Sequence, residues 1–312
     1  MADGLQDLPE LLAAAWQRRR ALHDDPELTA YRVFHGHGEG WPGLTLERLG
    51  DVYRMRCVAL DPQVVPLVEA FLVEQTGPEI WIGVVPEREG ESMIWVRDPG
   101  PRGPVVAREA GLSFGFEVEA RGNPGLYFDA RAARSWVREH AEGRRLLNLF
   151  AWTGGFGVAG LAGGGRSVIH VEQQKRARER AKRNHELNNQ GIDDRDLSGE
   201  DVYRFLRQAA KRGRRFGGII IDAPPQVPPR GPHRPEGQDY ETLVPLALDV
   251  LEPDGWILCS FSRRDVSRTE NEARIRAACD GALEVIGRGS SGVDFPEADP
   301  EAKLRFSAWA RA

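Results

Sequence analysis

The sequence contains little cysteine. Among 312 residues there are three, Cys57, Cys259 and Cys279, which are far apart and odd in number. Such a set forms neither a disulfide framework nor the paired spacing of a zinc site. The first twenty residues contain acids and arginines and lack the apolar run that a secretory signal requires. These absences predict a cytoplasmic protein with no metal site.

A long apolar segment is also missing. The most apolar stretch, LLNLFAWTGGFGVAGLAGG from Leu146, is crowded with glycine and followed at once by charge. A membrane-spanning helix needs about 20 predominantly apolar residues, so this stretch argues against one. With 41% hydrophobic and 29% charged residues, the composition is that of a globular protein, long enough for two domains.

Positive charge is scarce in the first part of the chain. The net charge is −5, but residues 1–120 carry 11 arginines against 20 acidic groups, a balance of −9. The remaining residues therefore balance at +4, with cations concentrated in QKRARERAKR and KRGRR. We expect any phosphate-bearing partner to bind this second part. A solvated helix face explains the same clusters equally well.

The sequence pattern divides the chain into three regions. Residues 1–29 form an N-terminal helical segment, with one helix predicted over residues 8–22. Residues 30–120 show short alternating segments and one helix, which indicates a small α+β domain. The Pro- and Gly-rich DPGPRGP is a predicted turn or linker. Over residues 121–312 strands alternate with helices, which predicts an α/β domain with a parallel sheet.

The ends of the predicted parallel strands indicate the cofactor. The stretch Gly155–Gly160 reads G-x-G-x-x-G, which suits a dinucleotide or another adenosine-bearing cofactor. Glu172 ends the next strand, where a carboxylate can accept hydrogen bonds from both ribose hydroxyls. Asp201 follows the third strand and could take an adenine amino group. Asp222 begins a proline-stiffened loop, Asp222-Ala-Pro-Pro225, which suits methyl transfer to a planar nitrogenous group better than hydride transfer. These features favour S-adenosylmethionine (SAM) over NAD.

Four stretches together resemble the class I SAM-dependent 23S ribosomal RNA methyltransferases of the large-subunit K/L and I type. NPGLYFDARAARSWV is similar to the segment that precedes the catalytic core in that family. LLNLFAWTGGFGVAG is similar to its N-x-F-A/S-Y-T-G loop, and HVEQQKRARERAKRNHELNN to its acidic strand end and following helix. GWPGLTLERLGD is similar to the signature of its small domain. The resemblance covers about residues 30–312.

The resemblance implies a seven-stranded, Rossmann-like class I methyltransferase domain preceded by a small α+β domain. It also implies a ribosomal RNA substrate, and the charge balance predicts that the second half of the chain binds most of it. Whether the protein is a monomer or a homodimer stays open. Candidate catalytic residues are Asp222 and Pro224. The implied cofactor-binding residues are Phe128, Asp129, Arg131, Arg134, Asn148, Phe150, Thr153, Gly154, Gly155, Glu172, Gln173, Asp201 and Asp222. Trp152 and Tyr127 could stack on a base, although each is expected to be a core aromatic.

Departures from the family pattern bear on the substrate. The loop usually reads Asp-Pro-Pro, and here Ala223 follows the aspartate. Members that methylate cytosine C5 need a thiolate in an S-C-S segment, where this chain has Ser260-Phe261-Ser262. Cys259, two residues before Phe261, is expected in the core. Transfer to a guanine nitrogen is therefore favoured over transfer to cytosine C5.

Three alternatives remain open at this stage. The overall acidity suits a methyltransferase that acts on a small molecule or a protein. The altered loop and missing thiol suit an RNA-binding protein that holds SAM without turnover. An NAD-dependent oxidoreductase rests on the G-x-G-x-x-G pattern alone.

Overall fold

The computed structural model describes residues 5–57, 63–86, 92–96, 104–225, 239–300 and 303–312. The chain forms two compact units. The first unit contains the described residues up to Asp129 together with Gly292–Ala298, and the second contains Ala130–Ser291 and the residues from Asp299 onward. The helical segment before residue 30 is part of the first unit, and the division falls later than the expected boundary at residue 120. Most of the predicted linker DPGPRGP lies outside the described residues.

The first unit has a five-stranded sheet in the order β1-β2-β3-β4-β5. The helices pack their apolar residues with the sheet, Leu8, Leu12 and Ala15 from the first helix among them. A separate hairpin follows. The elements are α1 (Leu8–Arg18), α2 (Arg20–His23), β1 (Ala30–His35), β2 (Leu44–Leu49), β3 (Val52–Cys57), α3 (Val64–Thr76), β4 (Trp81–Val85), β5 (Ile94–Trp95), β6 (Val105–Glu109) and β7 (Leu112–Phe116).

The single helix predicted over residues 8–22 is wrong, since the chain breaks at Arg19. That residue leaves the helical region, and its side chain is fully buried. Arg19 Nη1 donates to the Ala15 carbonyl at 2.8 Å and to Glu39 Oε1 at 2.6 Å. A buried guanidinium needs several acceptors, and the break directs it toward them. The helical periodicity of the sequence carries no sign of these distant partners.

The return segment Gly292–Ala298 is built into the first unit by polar contacts. Arg19 Nη2 donates to the Asp294 carbonyl at 2.9 Å. His35 Nε2 lies 3.1 Å from Glu297 Oε1, and its ring lies 4.9 Å from the ring of Phe295. The first unit therefore takes part of its buried polar network from residues near the carboxyl terminus.

The second unit has a seven-stranded sheet in the order β10-β9-β8-β11-β12-β14-β13. The first five strands in this order, from β10 through β9, β8 and β11 to β12, are parallel to one another. Strand β14 is antiparallel to both of its neighbours, β12 and β13. Its elements are α4 (Arg131–Glu139), β8 (Arg145–Leu149), α5 (Gly155–Ala162), β9 (Ser167–Val171), α6 (Lys175–Leu187), β10 (Leu197–Ser198), α7 (Val202–Lys211), β11 (Phe216–Ile221), α8 (Tyr240–Leu248), β12 (Leu251–Phe261), α9 (Arg268–Ala278), β13 (Leu283–Ser290) and β14 (Arg305–Arg311).

Both faces of the central strands are buried. Leu147 and Leu149 of β8 pack with α7 and α8, whereas Leu146 packs on the other face with α4. Near-continuous apolar strands such as "FGGIII" of β11 are expected where helices cover both faces of a parallel sheet. The α/β class predicted from the sequence is confirmed. Within the residues that the structure describes, no helix combines the length and apolarity needed to cross a bilayer.

Candidate functional site

The loops after four neighbouring parallel strands meet at one edge of the seven-stranded sheet. Strands β10, β9, β8 and β11 are adjacent and point the same way. Their carboxyl ends lead into the glycine loop after Leu149, Glu172, Asp201 and Asp222. In open α/β sheets a ligand binds beyond the carboxyl ends of the strands. We call this side of the sheet the carboxyl edge.

The glycine loop, residues 150–154, has an unusual backbone. Phe150, Trp152 and Gly154 have φ values of +56°, +47° and +78°. For the two aromatic residues this conformation costs on the order of 1–3 kcal/mol each, which surrounding contacts must offset. The Ala151 amide donates to the Val171 carbonyl at 3.1 Å, and Asn184 Nδ2 donates to the Thr153 carbonyl at 2.9 Å. Bonds from β9 and α6 thus fix the loop before α5.

Glu172 connects the ends of β8 and β9. Its Oε2 accepts from the Trp152 amide at 3.0 Å, and its Oε1 accepts from the Gln174 amide at 2.8 Å. Arg178 Nη1 donates to the carbonyls of Glu172 and Gln173 at 2.6 and 2.8 Å. An ionised carboxylate can accept about four hydrogen bonds. Each oxygen therefore retains capacity for a hydroxyl donor such as those of a ribose.

Behind the loop, four side chains form a largely buried chain of hydrogen bonds in which the donor and the acceptor of every bond can be assigned. Gln190 Nε2 donates to the Val158 carbonyl at 3.0 Å, so Gln190 Oε1 must accept from His185 Nδ1 at 2.8 Å. His185 Nε2 is then an acceptor for His170 Nε2, 2.9 Å away. His170 Nδ1 in turn accepts from Asn148 Nδ2 at 3.1 Å. One tautomer of each imidazole satisfies both histidines and Gln190, while the buried Oδ1 of Asn148 has no partner among the described residues. We call these four side chains the histidine network.

Burial keeps the histidine network neutral. Both imidazoles are fully buried. Burial lowers the pKa of His185 to about 4, although Gln190 opposes the shift. Burial and the neighbouring His185 lower the pKa of His170 well below its usual value. The Nδ2 of Asn148 belongs to this network, and its Oδ1 keeps its acceptor capacity within the described part of the chain.

Packing explains Gly157 and Gly160, two of the three glycines of the G-x-G-x-x-G pattern, and also Gly154, which directly precedes the pattern. A Cβ on Gly157 would lie 2.3 Å from His170 Cε1, and one on Gly160 would lie 2.3 Å from Leu146 Cδ1. Gly154 has a positive φ, and its Cβ would lie 2.9 Å from the Cβ of Ala181. Close approach of helix and strand is thus enough to require glycine at these positions. The pattern carries no information about which cofactor is bound.

The two remaining strand ends differ in what surrounds them. Asp201 is exposed and caps α7, with its Oδ1 accepting from the Arg204 amide at 3.1 Å. Asp222 is half-buried after β11, and Ala223 enters the hydrophobic core. The inserted alanine therefore packs inward, and Pro224 is exposed beyond it. The continuation of that loop, residues 226–238, lies outside the described residues.

The segment that precedes the catalytic core was expected to contribute four residues to the cofactor site. The division between the two units falls within this segment. A 3-10 turn, Phe128–Ala130, precedes α4. Phe128 and Asp129 belong to the first unit, whereas Arg131 and Arg134 lie in α4 of the second. Arg134 is buried, with its Cζ 5.9 Å from the ring centre of Phe156.

The two aromatic residues considered for stacking are not equivalent. Tyr127 is 46% exposed, so the expectation that it is a core aromatic is wrong. Trp152 is half-buried, and its amide is the donor to Glu172 described above.

Comparison with known proteins defines the family. Residues 95–309 match the profile of the S-adenosylmethionine-dependent methyltransferase family. The chain belongs to that family, and its cofactor is S-adenosylmethionine; the prediction of SAM over NAD is confirmed. Similar proteins include the ribosomal RNA large subunit methyltransferase I of Erwinia tasmaniensis, 30% identical over 88% of this chain and 71% of its own length. The protein of the same name from Cronobacter sakazakii is 30% identical over 83% of this chain and 67% of its own length.

Solved structures show the same fold. A protein from Streptococcus mutans described as a SAM-dependent methyltransferase superposes with a TM-score of 0.84 at 20% identity, covering 98% of this chain and 81% of its own. The SAM-dependent methyltransferase of Agrobacterium tumefaciens gives a TM-score of 0.65 at 19% identity, covering 92% of both chains. At these identities the likeness concerns the fold alone.

Proposed function

We propose that this methyltransferase modifies a base of large-subunit ribosomal RNA, at a nitrogen and not at cytosine C5. The relatives that share 30% identity over most of the chain are named for large-subunit ribosomal RNA. The second unit would be the class I methyltransferase domain, and the first a small α+β domain that precedes it. A cytoplasmic location follows from such a substrate.

The cofactor would lie at the carboxyl edge. The proposed binding residues are those of the glycine loop, Glu172 with its free acceptor capacity, and the neighbouring strand ends. When bound, S-adenosylmethionine supplies a methyl group carried on a positively charged sulfur. Asn148 stays in the proposed set, since only its Nδ2 is used by the histidine network. The full proposed set is Phe128, Asp129, Arg131, Arg134, Asn148, Phe150, Thr153, Gly154, Gly155, Glu172, Gln173, Asp201 and Asp222.

In this proposal the protein contributes alignment more than covalent chemistry. A ring nitrogen brings its own lone pair and needs only to be held in line with the methyl group, so proximity and orientation supply most of the acceleration. Asp222 and the exposed Pro224 would position the base, which must be single-stranded or flipped out of a duplex. Asp222 could also accept a hydrogen bond from an amino group at the edge of the base.

The burial of every thiol supports nitrogen as the acceptor. Cytosine C5 chemistry needs a thiolate that reaches the base, and all three cysteines of the chain are buried. Burial raises the pKa of Cys259 well above its usual value. Phe261 occupies the position where the related enzymes would carry the thiol, and it packs edge-on against Tyr240 with ring centres 5.2 Å apart. A buried, protonated thiol is inert.

Labelled S-adenosylmethionine tests this proposal directly. The protein is incubated with separated RNA, protein and small-molecule fractions, and we expect label in large-subunit ribosomal RNA on a guanine nitrogen. Label in another fraction would contradict the substrate, and cofactor binding without transfer would make the protein a non-catalytic binder. RNA that contains 5-fluorocytosine should trap no covalent complex, whereas a trapped adduct would establish cytosine C5 chemistry.

A further inference from the structure

The opposite edge of the seven-stranded sheet, where the parallel strands begin, is rich in arginine. Arg145 begins β8, Arg166 precedes β9, and Arg214 and Arg215 precede β11. These strands are adjacent, and the Arg166 amide donates to the Arg144 carbonyl at 2.8 Å. Neighbouring strands lie about 4.8 Å apart, so these arginines form one row. We call this side the amino edge.

Two arginines of this row, together with Arg212 at the carboxyl end of α7, form a cluster on the face covered by α7. Arg145 Cζ lies 5.6 Å from the ring centre of Phe216, and Arg214 Cζ lies 5.7 Å from the same ring. Arg214 Cζ is also 5.5 Å from the ring centre of Phe205. Burial lowers the pKa of Arg214, and the charges of Arg145 and Arg212 lower it further. Arg145 and Arg214 contact the same ring, and Arg212 ends α7 two residues before Arg214. We call these three residues the guanidinium cluster.

The guanidinium cluster is not neutralised by acids. Within the described ranges, no carboxylate forms an ion pair with any of its three members. Arg144 is paired with an acid, since Asp254 Oδ2 lies 3.4 Å from Arg144 Nη1. The side chain of Arg144 packs beside Gly217, on the face of the sheet opposite to Phe216, so this pair is not part of the guanidinium cluster. Exposed Arg207 and Lys211 of α7 add further positive charge. Stacking on aromatic rings holds Arg145 and Arg214 in place despite their mutual repulsion.

We propose that the guanidinium cluster binds the phosphate backbone of the RNA substrate at a point remote from the nucleotide that is methylated. Guanidinium groups match the geometry of phosphate oxygens and bind them through paired hydrogen bonds. Cations that are held close together without neighbouring acids repel one another, and a bound polyanion removes this electrostatic repulsion. This inference rests on the proposed function and adds to it the length of the substrate.

The distance between the edges excludes a nucleotide-sized substrate for both sites. The six residues of β11 separate Phe216 from Asp222, which at about 3.3 Å per residue is about 20 Å. At the roughly 3.4 Å per nucleotide of a double-helical DNA strand, that path spans about six nucleotides, and the shorter rise of an A-form RNA helix makes the number larger. Only an RNA several nucleotides long can contact both the guanidinium cluster and the carboxyl edge. A small-molecule substrate is too short to do so.

The test is a double variant, Arg145→Gln with Arg212→Gln, that leaves the stacked Arg214 in place. Binding to purified large-subunit ribosomal RNA is measured between 50 and 200 mM salt, together with kcat and KM for methyl transfer. Loss of two phosphate contacts should reduce the salt effect over that range by about tenfold relative to the wild type. We expect KM for RNA to rise while kcat at saturating RNA stays the same.

Two controls distinguish a phosphate site from charge or folding. The pair Arg195→Gln with Arg274→Gln removes the same charge from arginines already paired with Asp193 and Glu270, and it should leave the salt effect unchanged. The pair Arg145→Lys with Arg212→Lys keeps the charge and should retain most of the salt effect. An unchanged salt effect in the glutamine variant, or an equal loss in the paired-arginine control, would overturn the inference while leaving the proposed function intact. If the wild type transfers no methyl group to RNA, the proposed function and this inference both fail.

Discussion

The two edges of the seven-stranded sheet are organised by opposite means. At the carboxyl edge, directional hydrogen bonds with Val171, Asn184 and Glu172 fix the glycine loop, and the neutral histidine network lies behind it. At the amino edge, Arg145 and Arg214 stack on an aromatic ring, and no carboxylate of the described residues forms an ion pair with either. A site for one small cofactor needs a rigid backbone, because misplacement weakens directional bonds. A surface for a polyanion needs charge, which acts over a longer range and tolerates imprecise placement.

The largest effect at the carboxyl edge is expected from Gly157→Ala. The added Cβ would lie 2.3 Å from His170 Cε1, so His170 must move and its two hydrogen bonds must distort. Overpacking together with a lost buried hydrogen bond should cost about 3 kcal/mol of unfolding free energy. Urea unfolding measures this cost, with Gly191→Ala as the control because nothing lies within 4 Å of the added Cβ. Equal stability of the two variants would mean that His170 does not require this glycine.

Removing the carboxylate at the end of β9 should affect the cofactor more than the fold. Glu172→Ala removes the acceptor for the Trp152 amide and the proposed acceptor for ribose. A charged hydrogen bond contributes about 1.5–3 kcal/mol, so the Kd for S-adenosylmethionine should rise about 30-fold. Calorimetric titration measures it, with the exposed Glu186→Ala as the matched control. An unchanged Kd would mean that Glu172 does not bind the ribose. In both variants the salt dependence of RNA binding should stay the same as in the wild type.

Acid should destabilise the carboxyl edge through the histidine network. The pKa of His185 is about 4 in the folded chain, below the value of about 6.5 in an unfolded chain. The unfolded chain therefore binds protons that the folded chain does not, so stability is lost as pH falls from 6.5 toward 4. For His185 alone this loss is about 2 kcal/mol between pH 7 and pH 5.

Comparison with a variant isolates that contribution. His23 and His35 in the first unit also have lowered pKa values, chiefly through burial. The measured quantity is therefore the difference in unfolding free energy between pH 7 and pH 5, in the wild type and in His185→Gln. The variant should lose less stability on acidification. The same loss in both proteins would show that His185 is protonated in the folded chain.

The smallest effect is expected at Cys259. Its side chain is fully buried in the core formed by β11, β12, α8 and α9. Cys259→Ala should therefore lower the rate of methyl transfer by less than about tenfold, near 1 kcal/mol, as a packing change does. Single-turnover kinetics with saturating cofactor measure this rate. A variant that binds S-adenosylmethionine normally but transfers no methyl group would make Cys259 the nucleophile.

Features that follow from local pattern were predicted correctly from the sequence. The alternation of strands and helices after residue 121 and the buried β11 follow from hydrophobic runs and their spacing. Glu172 was expected at a strand end, and it directly follows β9, with Oε2 3.0 Å from the Trp152 amide nitrogen. Its role toward the ribose stays a prediction. Periodicity also placed Cys259 on the same side of its strand as Phe261, and both belong to one core cluster.

Features that depend on distant partners were not predicted. The break at Arg19 has its cause in Glu39 and Asp294, and no local signal connects these residues. The glycine pattern indicated a ligand, whereas its second glycine accommodates His170 from the next strand. The bond from Asn148 Nδ2 to an imidazole 22 residues away also has no local signal, whereas the role of Asn148 toward the cofactor stays a prediction. In each case the contact is with a residue that only the folded chain brings near.

The return of Gly292–Ala298 to the first unit has a consequence for biosynthesis. Arg19 donates to a carbonyl 275 residues later in the chain, and His35 meets Glu297 at a similar separation. A polypeptide emerges from the ribosome amino terminus first, at about 5–20 residues per second. The first unit therefore waits on the order of fifteen seconds or more for these partners. Its folding is completed only after nearly the whole polypeptide has been translated, so a nascent or prematurely terminated chain exposes an unfinished amino-terminal half to chaperones and proteases.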